Sequence, residues 1–330
     1  MEGEVNSSTV RDDLVTTYGG VYEQLKMHNG IIGDLDIKSA IDEPNPKTWT
    51  QAMTSNNRQF WLKAAYDEIT TIAKMRVFKL SRDIPKDRKA LSAKWVWAVR
   101  RSAVTGKIER FKARWVARGD LQRKGLDYKE TFAPVASLIT LRILLALAAV
   151  MGLEIDQMDV VSAFLNGLID TLFFLKQPEG FRLDDSVCEL HRSIYGLCQS
   201  ARAWYDILNE VVQCLGFKRL TADLVVWIKT IDGNLQFIIA HVDDLLNGGR
   251  ATEVKEVKEH LGKFFKLKDM ASVKVFIGMN IARDRIKRII YIDQAHYGKA
   301  MLSRYGMSEC NPISIPMQPG EKISSNPECI

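Results

Sequence analysis

The sharpest pattern in the chain is an alternation over residues 108–118. Arg110, Lys112, Arg114 and Arg118 fall on one side, and Phe111, Ala113, Trp115 and Ala117 on the other. Successive side chains of a strand point to opposite faces, so this pattern predicts a strand with an apolar back and a cationic front. Lys94 to Val99 reads as its partner across a turn at Thr105-Gly106. Two further apolar runs, 224–228 and 235–246, flank Asp232-Gly233-Asn234 and predict a second hairpin. Residues 153–160, 275–279 and 289–292 read as additional strands. Helical spacing links Trp61, Ala64, Ala65, Glu68, Ile69 and Ile72, and again Trp204, Ile207, Leu208, Val211 and Val212 within a helix over 197–216. Shorter helices are predicted over 253–261 and 294–305. Leu138 to Leu153 is almost wholly apolar but carries Arg142 and is shorter than the ~20 residues that span a bilayer. It predicts a core helix, with no membrane involved. Residues 1–45, rich in Gly, Ser, Asn and Asp with weak periodicity, predict a loose polar leader. Hairpins mixed with packed helices give an α+β fold class.

Composition adds little until charge is mapped along the chain. With 330 residues and 46% apolar content, two or three packed subdomains are expected. The formal net charge is +6, yet residues 86–124 alone hold thirteen Lys and Arg against Asp87, Glu109 and Asp120. A basic block of this kind suits a polyanion, since neutralising phosphates releases condensed counterions; a solvated basic face is the plainer alternative. The cysteines at 188, 198, 214, 310 and 329 have no metal-ligand spacing and read as reduced thiols of an intracellular protein.

The most unusual local feature is Asp243-Asp244, two adjacent acids inside an otherwise apolar run from Phe237 to Leu246. Burying two unpaired charges is costly, so they belong at a turn or against a cation. Mg²⁺, which takes one or two carboxylates together with substrate phosphates, fits such a pair; a solvent-exposed turn fits it too. Asp159, at the end of a second apolar strand, is a third acid. If the two strands are neighbours, three carboxylates converge, as two-metal phosphoryl transfer requires.

Gln157-Met158-Asp159-Val160-Val161-Ser162-Ala163-Phe164-Leu165-Asn166-Gly167 resembles the QMDVKTAFLNG signature of copia-type LTR retrotransposon reverse transcriptases. Gln177 to Phe181 matches their QPEGF, Ser193 to Gln199 is similar to SLYGLKQ, and His241 to Asp244 to YVDD. Further collinear matches are Lys94-Trp95-Val96, Phe111 to Arg114, Asp127 to Val135 and Phe276-Ile277-Gly278, so the resemblance extends from about Glu43 to Met317. Departures from the family include His241 for Tyr, Cys198 for Lys, Ala201 for Pro, and Ala271 for the Gly of KDLG.

The resemblance implies a right-handed polymerase fold, with fingers and palm over 46–290 (a basic fingers hairpin at about 91–120) and a partial thumb and polar tail over 291–330; the family's RNase H is expected to be absent, since no region resembles it. It implies RNA-directed DNA polymerase activity, the Pol-polyprotein reaction in which a primer 3′-hydroxyl attacks a dNTP on an RNA or DNA template. Asp159, Asp243 and Asp244, with the Val160 carbonyl, would hold two Mg²⁺ ions, or Mn²⁺ in their place. Lys112 and Arg114 would hold the triphosphate. Phe164 would exclude a ribose 2′-hydroxyl, and Gln199 would meet the nucleotide or template base. Phe276, Ile277, Gly278 and Met279 would form the primer grip. The expected setting is the cytoplasm, in a virus-like particle, or the nucleus. A second reading is a truncated, inactive relic that keeps only non-specific nucleic-acid binding.

Overall fold

The computed structural model describes residues 9–31, 35–102 and 105–315. They form two compact units, 1–272 and 273–330. In the first, α1 (Thr9–His28), α2 (Trp49–Thr54) and α3 (Arg58–Lys74) precede β1 (Phe78–Ser81) and the hairpin β2 (Ala93–Arg101) and β3 (Ile108–Ala117). Next come α4 (Leu138–Met151), β4 (Glu154–Val160), β5 (Leu168–Lys176), β6 (Val187–Arg192) and α5 (Ser200–Cys214). The unit ends with β7 (Lys218–Arg219), β8 (Val226–Ile231), β9 (Asn234–His241), β10 (Asp244–Gly249), α6 (Ala251–Leu261) and β11 (Leu267–Ser272).

Six strands make the largest sheet, in the order β11-β4-β10-β9-β8-β7. One of its faces is covered through Met158, Val160, Trp227, Ile238 and Leu245, which share a core with Trp204, Leu208 and Val212 of α5 and Val257 and Leu261 of α6. A separate core sits under the β2–β3 hairpin. There the apolar back foreseen from the alternation meets α3: Phe60 stacks on Phe111 at 4.9 Å, and Trp61 meets it edge-on at 4.5 Å. Aromatic pairs of this geometry add about 1 kcal/mol each beyond burial. The β1-β6-β5 sheet joins the same core through Phe78, Leu190 and Leu175.

Two of the family-like motifs, Gln177 to Phe181 and Ser193 to Gln199, are clasps for that hairpin. Trp95 Nε1 donates to the Glu179 carbonyl at 2.9 Å, and Phe181 is fully buried. Gly180 has φ +84°, and a Cβ there would stand 2.1 Å from the Trp49 ring, so this segment needs glycine. In the second motif the amide of Ala117, at the end of β3, donates to the Tyr195 carbonyl at 2.8 Å. A Cβ on Gly196 (φ +90°) would lie 2.2 Å from the Ala117 oxygen.

The loose leader expected over 1–45 is contradicted: residues 9–28 are helical. Tyr18 is fully buried, Tyr22 stacks on Tyr66 of α3 at 4.2 Å, and Leu14, Val15, Val21 and Leu25 pack on the same core. Gly19-Gly20 and the polar composition hid that stripe, and tertiary packing overrode the low propensity. The leader's residues 1–8 and 32–34 lie outside the described residues, as does the tail from 316. The core helix over 138–153 forms as α4, capped by the Ser137 hydroxyl accepting from the Ile139 amide and closed by Gly152 at φ +70°. Only one face is core, however. Leu141, Leu144, Leu145 and Ala148 are buried, whereas Ile139 is 70% and Val150 66% exposed. No helix among the described residues is long and apolar enough to cross a membrane.

The second unit contains β12 (Val275–Phe276), β13 (Met279–Asp284), β14 (Ile289–Asp293) and α7 (Ala295–Arg304), its strands pairing in the order β12-β13-β14. It begins at Val273, earlier than the boundary expected near 290, because these strands pair with one another. The strand expected over 275–279 is instead a reversal. Ile277 (φ +49°) and Gly278 (φ +72°) occupy consecutive left-handed positions, as a tight hairpin turn demands. Phe276 and Met279 are buried on either side of it.

Candidate functional site

β4 and β10 are antiparallel neighbours, and their register sets Asp159 directly opposite Asp244. Across β10 the partner of Asp244 is His241, and across β4 the partner of Asp159 is Lys268. Paired residues share a face, so Lys268, Asp159, Asp244 and His241 form one transverse row over four strands. Met158 and Val160 point to the other face, into the core. The row is therefore fixed by sheet alternation: the apolar side of β4 is held by α5, and its acids are left on the open side.

Val242 and Asp243 form the two-residue turn between β9 and β10. Val242 has φ +59°, a conformation that costs a β-branched residue about 1–2 kcal/mol. Trp204 of α5 stabilises it by donating from Nε1 to the Val242 carbonyl at 2.6 Å. The Val160 amide donates to the Asp243 carbonyl at 2.8 Å. Since a strand residue's N–H and C=O leave on the same edge, the Val160 carbonyl also faces the turn.

Burial raises the Asp244 carboxyl above its ordinary range; the Gln157 amide, donating at 3.1 Å, opposes that, and the neighbouring charges of Asp243 and Asp159 add to it. Like-charged oxygens crowded in this way are what a divalent cation relieves. The donor set of carboxylates plus one carbonyl is all hard oxygen, and it fits Mg²⁺ or Mn²⁺. Among the described residues no three His, Cys, Asp or Glu side chains are gathered closely enough to hold an ion by themselves. What is assembled is the backbone frame and the electrostatic strain.

On β3, Lys112 and Arg114 share the cationic face foreseen from the alternation, both half-buried. Burial, aided by Arg114 and Arg100, lowers the Lys112 ammonium from its usual range. The Arg114 guanidinium lies 4.6 Å from the centroid of the Tyr195 ring. Phe164 also approaches that ring, at 5.2 Å between centroids. Phe164 sits just beyond β4, where Ser162 (φ +56°) turns the chain back. Tyr195, raised in pKa chiefly by burial, also feels the charge of Asp243. Arg114, Phe164 and the Asp243 turn are thus gathered around a tyrosine that the sequence reading left without a role. Its signal was present in the Ser193–Gln199 motif, beside the polar Gln199 to which the resemblance gives a role.

Gln199 is placed differently from expectation. It is 8% exposed, accepts from Gln122 Nε2 at 3.0 Å and donates to the Asp127 carbonyl at 3.3 Å. Its amide is committed to tying the segment 119–127 to the start of α5. Arg110 remains on the β3 front, whereas Arg118 lies beyond the strand and pairs with Asp120. Phe276, Ile277, Gly278 and Met279 belong to the second unit.

Residues 75–319 match the family described as reverse transcriptase (RNA-dependent DNA polymerase). The chain is 31% identical over 288 residues to the retrovirus-related Pol polyprotein from transposon TNT 1-94 of Nicotiana tabacum, covering 86% of this chain and 22% of that one. It is likewise 31% identical over 286 residues to the Pol polyprotein from transposon RE1 of Arabidopsis thaliana, with 86% and 19% covered. The chain spans about a fifth of the length of these relatives. Among solved structures, a foamy viral protease-reverse transcriptase in complex with double-stranded DNA aligns at TM-score 0.41 and 10% identity, over 91% of this chain and 50% of that one.

Proposed function

The chain belongs to the reverse transcriptase (RNA-dependent DNA polymerase) family, and from that premise we propose that it extends a primer on an RNA or DNA template by nucleotidyl transfer from dNTPs. The observation that carries this reading is the Asp159↔Asp244 register beside a turn bearing Asp243. Asp159, Asp243, Asp244 and the Val160 carbonyl would hold two Mg²⁺ ions, or Mn²⁺, which when bound favour ionisation of the primer hydroxyl and neutralise the departing pyrophosphate.

The chain's own residues do the positioning, which is the larger part of such catalysis. Arg114 presents its guanidinium edge to the triphosphate while its face rests on Tyr195, and Lys112 adds a second cation from the same strand face. Phe164, backed by Tyr195, stands where a ribose 2′-hydroxyl would have to fit. Trp204 keeps the Asp243 turn from relaxing. Gln199 supports the loop that carries Tyr195 and is not assigned to the nucleotide. In this reading the β2–β3 hairpin belongs to the fingers, the six-stranded sheet with α5 and α6 to the palm, the Phe276–Met279 reversal to the primer grip, and residues from 291 to the thumb.

Primer extension on poly(rA)/oligo(dT) with dTTP and Mg²⁺ tests this. Incorporation by the chain and its loss in Asp243→Asn are expected. A folded chain that binds the duplex and incorporates nothing with either metal refutes the assignment.

A further inference from the structure

Residues 193–196, between β6 and α5, touch both the turn that carries Phe164 and the strand that carries Arg114. At one end, the Ser193 amide donates to the Gly167 carbonyl at 2.8 Å. The Ser193 hydroxyl donates to the Phe164 carbonyl, which also accepts from the Gly167 amide at 3.1 Å. One residue earlier, Arg192 Nη1 donates to the Asn166 carbonyl at 3.2 Å. Ser193 is fully buried, and Gly167 makes room for it: a Cβ there would stand 2.9 Å from the Ser193 hydroxyl oxygen and equally close to Ala203. At the other end, the Tyr195 carbonyl accepts from the Ala117 amide of β3 at 2.8 Å.

Between these anchors lies the Tyr195 ring. Its centroid is 5.2 Å from that of Phe164, with the planes inclined at 59°, and 4.6 Å from the Arg114 guanidinium carbon. One short segment thus joins the ring assigned to the sugar to the cation assigned to the triphosphate. The connection matters because of what the Phe164 ring has to do. An apolar wall rejects a single added hydroxyl only weakly, by about 100-fold. That margin needs a wall that holds still, since a retreat of about 1 Å is enough to undo it. The bonds from Ser193 hold the Phe164 main chain, and the Tyr195 ring stands against its side chain.

Resting on the assignment of Phe164 to the sugar and Arg114 to the triphosphate, we propose that Ser193 and Tyr195 are positioning residues that set the choice of deoxyribose over ribose. Both act through other residues. Ser193 fixes the main chain of the Phe164 turn. Tyr195 fixes the Phe164 ring and, with the same phenol, the Arg114 guanidinium. Sugar selection and triphosphate grip are therefore coupled, because a shift of the Tyr195 ring moves both. The two residues are separable in their effects: Ser193 reaches the sugar side alone, and Tyr195 reaches both sides.

The test is equilibrium binding of dTTP and of ribothymidine triphosphate, which differ by the 2′-hydroxyl alone. Each is titrated with Mg²⁺ into the full chain on a primer–template whose primer ends in a dideoxynucleotide, and the ratio of the two Kd values is read. Tyr195→Leu is expected to lower that ratio about tenfold and to weaken dTTP about tenfold. Tyr195→Phe, which keeps the ring, should bring both back to within about twofold of wild type. Ser193→Ala is expected to lower the ratio about fivefold, chiefly by tightening ribothymidine triphosphate. Residues that merely support the fold would weaken both nucleotides alike and leave the ratio where it was. Should Tyr195→Leu fail to fold, Ser193→Ala decides alone, since the Phe164 carbonyl keeps the Gly167 amide there. A wild-type ratio in either variant, a ratio lost in Tyr195→Phe as fully as in Tyr195→Leu, or wild type binding both nucleotides equally or neither overturns the proposal. Extension of an unblocked primer is read separately: discrimination that shifts as expected, without incorporation, sinks the polymerase assignment and leaves the role of Ser193 and Tyr195 standing.

Discussion

At the β4–β10 pair the acids are set by backbone register: Asp159 faces Asp244 because the strands pair that way, and Val160 and Asp243 are joined through main-chain atoms. On β3 the cations are set by side-chain packing: Arg114 rests on Tyr195, and Tyr195 is held by the close approach of Gly196 to Ala117. A register-built position depends on many ladder hydrogen bonds and on a buried apolar face, so changes beside it are absorbed. His241 for Tyr sits in the acid row and still pairs with Asp244, and Ala271 for Gly lies where the β11–β4 register shifts between Asp269 and Ser272, yet Lys268 still pairs with Asp159. A packing-built position depends on a few contacts with no slack, and a single methyl group can displace it.

The sharpest way to break that contrast is Gly196→Ala. The added Cβ would meet the Ala117 oxygen at 2.2 Å and the Val116 side chain at 2.6 Å, in a left-handed backbone. A loss of about 3 kcal/mol is expected in denaturant unfolding, together with loss of nucleotide binding. Next comes Trp204→Phe, which removes the donor to the Val242 carbonyl and leaves that turn strained. It should cost about 1–2 kcal/mol and lower kcat, with KM for dTTP little changed, because it acts on the acid side alone. Arg114→Lys acts on the cation side alone. It keeps the charge but loses the guanidinium contact with the Tyr195 ring and the paired donors, so KM for dTTP should rise about tenfold with a smaller change in kcat. If Trp204→Phe and Arg114→Lys gave the same split between kcat and KM, the division into two separately built halves would fail.

The smallest effect is expected at Ala271. Its φ of +56° is a left-handed position that an alanine side chain disfavours, while Asp269 accepts from its amide at 2.8 Å. Ala271→Gly should raise stability by about 1 kcal/mol and leave the Asp159↔Asp244 register untouched, measurable as a rise in Tm.

The same contrast decides what was legible in the sequence. Alternation in Ile108 to Arg118 and the apolar frame ahead of Asp159 express backbone period, and β3 and β4 formed where the pattern put them; the run 235–246 is divided by the Val242-Asp243 turn into β9 and β10. Tyr195 could not be found that way. It gains its place from the close approach of Gly196 to Val116 and Ala117, residues distant in the sequence, which no local pattern reveals. The α1 helix was hidden by Gly19-Gly20 because its order comes from burial against α3. The reversal at Ile277-Gly278 was hidden because an apolar run looks like a strand until its φ angles are known.

The most direct measurement asks whether acids from two strands share an ion. Fe²⁺ can replace Mg²⁺ on the folded chain and, with ascorbate and peroxide, cut the backbone beside wherever it is held. Cleavage next to both Asp159 and Asp243, suppressed by excess Mg²⁺ and lost at both places in Asp159→Asn, is the expected result. Cleavage at only one of the two strands, or at neither, would contradict a site built by the β4–β10 register.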